Sequence, residues 1–153
     1  MTDRLVSVEL QKDSRIFIVT YSRTTDGHRL IDGVPIVVPT ADDATALGEA
    51  VVNGLLRSTT GVLPPRDTSV SPPDAEFLRW AGVETYAKYA KGVRTVEVWA
   101  DGDGELEDIE ITPEGNQGAR GGFVPLGDPE SITFNGPTQL GEAVQRALAL
   151  ATA

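Results

Sequence analysis

The chain has 153 residues, of which 40% are hydrophobic and none is cysteine, and its 13 Lys and Arg against 23 Asp and Glu give a formal net charge of −10. That length fits one domain with a substantial core, and the apolar content argues against wholesale disorder. The missing cysteines exclude disulfide staples, zinc–thiolate sites and cysteine nucleophiles; the negative charge opposes binding to nucleic-acid phosphates and favours basic partners.

The opening Met1-Thr2-Asp3-Arg4-Leu5 lacks the apolar core of a signal peptide, and no apolar run approaches the roughly 20 residues needed to span a bilayer. A soluble, cytoplasmic protein is the expectation. From Leu5 to Leu10, Val6, Val8 and Leu10 alternate with Ser7 and Glu9, which predicts a strand with one wet side. Ile16-Phe17-Ile18-Val19 runs apolar without a break and predicts a strand buried on both faces. Asp26-Gly27 is a hairpin turn signal. Leu30 to Val38 continues as strand, broken by Asp32-Gly33 and Pro35; a proline cannot donate to the ladder, so this segment belongs at an edge or a bulge.

Thr40 is placed to cap a helix from about Ala41, with Asp42 and Asp43 at the positive end of its dipole. Leu47, Ala50, Val51 and Leu55 form its apolar stripe. The stretch 58–73, rich in Pro, Ser and Thr, reads as an exposed loop. Ser71-Pro72-Pro73-Asp74 then opens a short helix ending at Gly82, with Phe77, Trp80 and Ala81 on one face. A second short helix, Glu84 to Lys91, ends at Gly92. Thr95 to Trp99 and Glu107 to Thr112 are strands around the turn Asp101-Gly102-Asp103-Gly104, with Ile109 and Ile111 inward and Asp108 and Glu110 outward. The glycine-rich loop that follows is expected to tuck Phe123 and Leu126 into the core. Ser131 to Phe134 makes a last strand, and Pro137 opens the final helix.

The chain echoes itself. Leu47-Gly48-Glu49-Ala50-Val51 returns as Leu140-Gly141-Glu142-Ala143-Val144, each copy after an apolar strand and a proline. Two strand–helix units thus pack their helices on one sheet. The paired glycines are expected to permit close helix-to-sheet approach, since Gly within a helix otherwise costs about 1 kcal/mol.

Catalytic signatures are sparse. His28, the only histidine, sits at a turn, so triads and two-histidine metal sites are excluded. The run Asp101, Asp103, Glu105, Glu107, Asp108, Glu110, Glu114 holds no basic residue. Its Asp-x-Asp-Gly start is similar to a calcium loop, but Thr112 stands at the twelfth position where Glu is required. The run is either an acidic contact surface for a basic protein or a charged hairpin edge that discourages sheet-to-sheet pairing. Gly118 to Phe123 lacks the Gly-Lys-Ser/Thr ending of a phosphate loop. Trp80, Tyr86, Tyr89 and Trp99 are candidate contact anchors or core residues.

Several of these pieces resemble the immunity proteins of bacterial contact-dependent growth inhibition systems, the CdiI family. They are Leu78-Arg79-Trp80-Ala81-Gly82-Val83, Tyr86 to Gly92, Ile111-Thr112-Pro113, Gly121-Gly122-Phe123-Val124-Pro125-Leu126 and Leu140 to Val144, with Val38-Pro39 through Val51 as the earlier unit. The resemblance implies a small α/β protein that binds the C-terminal toxin domain of a delivered effector, often a nuclease, inside the producing cell. It transfers a framework and no contact residues.

The reading from sequence is therefore an α/β (α+β) fold in a single domain, 1–153. A mixed, twisted β-sheet is flanked by helices, with two strand–helix units echoing each other and the short Trp80 and Tyr86 helices at one end. The expected function is neutralisation of a basic cognate toxin domain through Asp101, Asp103, Glu105, Glu107, Asp108 and Glu110. No catalytic residue, metal or cofactor is assigned, and neither nucleic acid nor membrane is a partner. The alternatives are a structural or adaptor domain for another basic protein, or an enzyme working with carboxylates alone.

Overall fold

Apolar alternation dictates the centre of the sheet. In the computed structural model, which describes residues 2–67 and 74–153, β1 (Asp3–Leu10) and β6 (Arg94–Asp101) pair antiparallel at the middle. β2 (Ile16–Thr24) flanks β1, and β7 (Asp108–Asn116) flanks β6. Short strands line the outside: β3 (Arg29–Ile31) and β4 (Ile36–Val38) on β2, β8 (Phe123–Pro125) and β9 (Glu130–Thr133) on β7. Helices α1 (Ala44–Arg57) and α5 (Pro137–Leu150) lie together over one face. They cover Val6, Val8, Ile16, Ile18, Val96, Val98, Ile109 and Ile111, each fully buried. The mixed α+β class and the two echoing units match the expectation.

The echo extends beyond the helices. Each unit is a hairpin, two short outer strands and a helix. At the centre Val6 faces Val98 and Val8 faces Val96, with Ser7 opposite Glu97, so the two units are related by an approximate two-fold axis through that pair. The helices obey the same axis. A Cβ on Gly48 would lie 1.7 Å from the Pro137 carbonyl oxygen, and one on Gly141 would lie 1.7 Å from that of Ala44. Thr45 and Thr138 join their hydroxyls at 2.8 Å. The paired glycines therefore serve helix-to-helix contact rather than the helix-to-sheet contact expected. Backbone meets backbone there, so only residues without side chains fit.

Other corrections have local causes. Asp43, rather than Thr40, caps α1, its Oδ1 accepting from Ala46 N at 3.0 Å, because a carboxylate satisfies a free amide at the helix's positive end. The 58–73 stretch is not all loop. β5 (Thr60–Leu63) runs parallel to β2 beyond the point where β1 ends; residues 68–73, including the Ser71 start of the next helix, lie outside the described residues. Helix α2 (Ala75–Ala81) ends at left-handed Gly82, and Thr85 caps α3 (Tyr86–Ala90). Together they cover part of the sheet's second face, with Phe17, Val19, Phe77, Tyr89 and Val93 as a second core. The predicted wet side of β1 is therefore dry at Glu9, which is 2% exposed. After the one-turn helix α4 (Gly118–Gly121), Phe123 packs against this second core, but Leu126 is 38% exposed. No helix among the described residues is long and apolar enough to cross a membrane.

Candidate protein-interaction surface

The β6–β7 hairpin positions the acidic run. Gly102 takes φ 76° to turn the chain, and its amide donates to the Thr2 carbonyl. The Arg4 guanidinium donates to the Asp103 carbonyl, and Phe134 N donates to that of Glu107. The turn backbone is thus tied down while its side chains point outward. Asp101, Asp103, Glu105, Glu107, Asp108 and Glu110 are all exposed. The first five cluster at one end of the sheet, and Glu110 stands beside Trp99 on the second face. None of the six joins an ion pair among the described residues.

The acidic surface continues inward from Glu110 and Glu114 of the linear run to Glu9 and Glu97, which lie outside it. The part of the second face that α2 and α3 leave open holds two adjoining cavities. One, of about 350 Å³, is lined by Glu97, Trp99, Glu110, Thr112 and Pro125. The other, of about 300 Å³, is lined by Glu9, Glu97, Glu114, Tyr21, Tyr86 and Phe123. Glu97 borders both. Burial lifts the Glu9 carboxyl to about 7 against hydrogen bonds from Tyr89 and Ser7, and the charge of Glu114 adds to the rise. Tyr89 Oη donates to Glu9 at 2.6 Å and accepts from Gln11 at 2.9 Å. Burial also raises Glu114, against a hydrogen bond from Thr95, and the Glu97 charge adds to it. No Lys or Arg pairs with Glu9, Glu97 or Glu114 among the described residues.

Glu9, Glu97 and Glu114 come from three separate strands. The sequence signal for the first was its place among apolar residues in β1, but only the covering helices and the strand order bring the three together.

Further along the same face, Asp3 is buried as Glu9 is, but it is compensated. Asp3 accepts from Arg23 Nε at 2.9 Å, from Trp99 Nε1 at 3.0 Å and from Arg29. Burial alone would raise its carboxyl. The hydrogen bonds from Arg23 and Trp99 and the charges of both arginines outweigh that and hold it at about 2.

At the other end of the central strands the sign reverses. Lys12, Arg15, Lys88 and Lys91 border a cavity of about 260 Å³ with Phe17 and Val93. His28 is exposed at the β2–β3 turn. Among the described residues no group of three or more His, Asp or Glu is arranged to hold a metal ion.

Two solved structures share this architecture. A protein of unknown function from Neisseria meningitidis superposes with a TM-score of 0.70 at 18% identity, covering 97% of this chain and 94% of that one. A chain of the CdiA-CT/CdiI toxin and immunity complex from Yersinia pseudotuberculosis superposes with a TM-score of 0.66 at 19% identity, covering 96% of each. The fold is thus one found in a toxin–immunity complex, as the sequence resemblance implies. No protein-family model matches the sequence, and no curated protein matches it significantly.

Proposed function

We propose that this chain is an immunity protein, which binds the cognate C-terminal toxin domain of a delivered effector in the cytoplasm and neutralises it without catalysis. The observation that carries this reading is the exposed, cation-free strip from Asp101 to Glu110, on a fold shared with a chain of a toxin and immunity complex. A nuclease must present positive charge to phosphates, and an acidic protein of complementary shape can occupy that surface. We assign Asp101, Asp103, Glu105, Glu107, Asp108 and Glu110 to the contact and a nuclease to the partner.

Co-expression with the toxin domain encoded upstream tests the proposal. Growth should be rescued and the two chains should co-purify. Continued killing with no complex would refute it, and complex formation with a non-toxic basic protein instead would favour an adaptor.

A further inference from the structure

We infer that the cavity lined by Glu9, Glu97, Glu114, Tyr21, Tyr86 and Phe123 receives an arginine side chain of the partner protein. The inference deepens the toxin-binding reading and rests on it for the source of the arginine.

The cavity opens at the edge of α3, whose Tyr86 forms one wall, and no side chain among the described residues fills it. A volume of about 300 Å³ lies at the small end of ligand sites and suits one side chain. Charge selects a cation. Glu9, Glu97 and Glu114 all line this one space, the Glu97 charge disfavours ionisation of Glu114 and the Glu114 charge that of Glu9, yet no basic residue among the described residues borders it. The protein's own chemistry provides the contrast. On the same face, Asp3 is also buried but is met by Arg23 and Arg29. Three carboxylates without such partners repel one another, and a cation between them relieves that repulsion.

Shape selects arginine over lysine. Tyr21, Tyr86 and Phe123 supply aromatic walls on which a planar guanidinium stacks, while its forked donors reach two carboxylates at once. A metal ion is a poorer occupant, since the acids do not converge as a ligand set. The cavity opens beside the larger one under Trp99 and Glu110, so an arginine seated there belongs to a segment crossing the acidic face.

The test needs no toxin. Isotope-labelled protein is titrated with the capped peptide Gly-Gly-Arg-Gly-Gly and followed by amide resonances. Ser7, Glu97, Glu114 and Phe123 should shift, and the same peptide with neutral citrulline for arginine should leave them in place. Glu97→Gln combined with Glu114→Gln should weaken the response by about tenfold or more. Glu49→Gln with Glu142→Gln, exposed acids on the two helices over the other face, should leave it unchanged. Equal responses to arginine and citrulline would overturn the inference in the unmodified protein, whatever the fate of the variants. So would shifts centred on residues 101–107, or shifts reproduced by calcium chloride alone. An indifferent cavity alongside successful growth rescue would remove the arginine site and leave toxin neutralisation standing; failed rescue with arginine binding would do the reverse.

Discussion

The two echoing units have one architecture and two surfaces. Where they meet the shared core they agree almost residue for residue: Ile16 and Ile18 stand where Ile109 and Ile111 stand, and Leu47, Ala50 and Val51 where Leu140, Ala143 and Val144 stand. Their hairpin turns differ in charge. The first unit turns through Lys12, Asp13 and Arg15, the second through Asp103, Glu105 and Glu107. Because the central strands run antiparallel, these two turns lie at opposite ends of the sheet. One end of a strongly acidic protein is therefore basic. Burial restricts side chains by volume, whereas an exposed turn restricts them by little more than its glycine. Like positions in the units are held alike only where they are packed.

The sharpest test of that symmetry lies at the helix crossing. Gly48→Ala and Gly141→Ala should each cost roughly 3 kcal/mol or more, since the added methyl meets a carbonyl oxygen that the neighbouring helix cannot easily move. The two costs should be nearly equal. The double variant should lose less than their sum, because separating the helices for one methyl makes room for the other. Urea unfolding of the four proteins measures this. A cost at one glycine only would show that the axis does not extend to the helices.

The second test breaks the symmetry deliberately. Glu9 has a buried carboxyl, whereas the equivalent place on β6 holds the half-buried Trp99, because α2 and α3 cover one side only. Its carboxyl titrates at about 7 in the fold against 4.5 when free. Below pH 4.5 both states hold the proton and no cost arises. Stability then falls as pH rises from about 4.5 to about 7, and the full loss, about 3 kcal/mol, persists above that. Glu9→Gln should remove most of this slope and raise the melting temperature at pH 8, while changing little at pH 4.5. Parallel pH profiles for the two proteins would place the carboxylate in contact with water after all.

These cases also mark what the sequence made legible. The long strands β1, β2, β6 and β7 and both long helices could be read from periodicity, since each has an apolar face of its own: Ile109 and Ile111 announce β7 without reference to any neighbour, whereas the short β5 and β8 read as loop. The dryness of Glu9 could not be read, because Tyr89 arrives from 80 residues away to cover it. The purpose of Gly48 was misread for a related reason. A glycine shows that something comes close, and only tertiary structure shows that the visitor is Pro137. Of the acidic surface, the turn from Asp101 to Asp108 was legible because its members are adjacent in the chain. Glu97 was not, and Glu114, though the last member of the acidic run, could not be placed beside it, since pairing across strands β6 and β7 is needed to bring the two into one cavity.

The smallest expected effect on stability carries the most information about function. Asp103→Lys, Glu105→Lys and Glu107→Lys together should change stability by about 0.5 kcal/mol or less, as the side chains are exposed. They should nevertheless slow association with the toxin domain by roughly tenfold or more at low salt and flatten its salt dependence. The equivalent turn of the first unit supplies the control. Lys12→Glu with Arg15→Glu makes the protein more acidic overall but alters the opposite end, so a general effect of net charge should speed association there. A local contact at the second turn predicts a large loss from the first variant and a modest gain from the second. If both variants shift the rate only in proportion to net charge, the acidic turn steers the partner from a distance without touching it. If neither shifts it, docking is governed by the packed surface rather than by the charges that distinguish the two units.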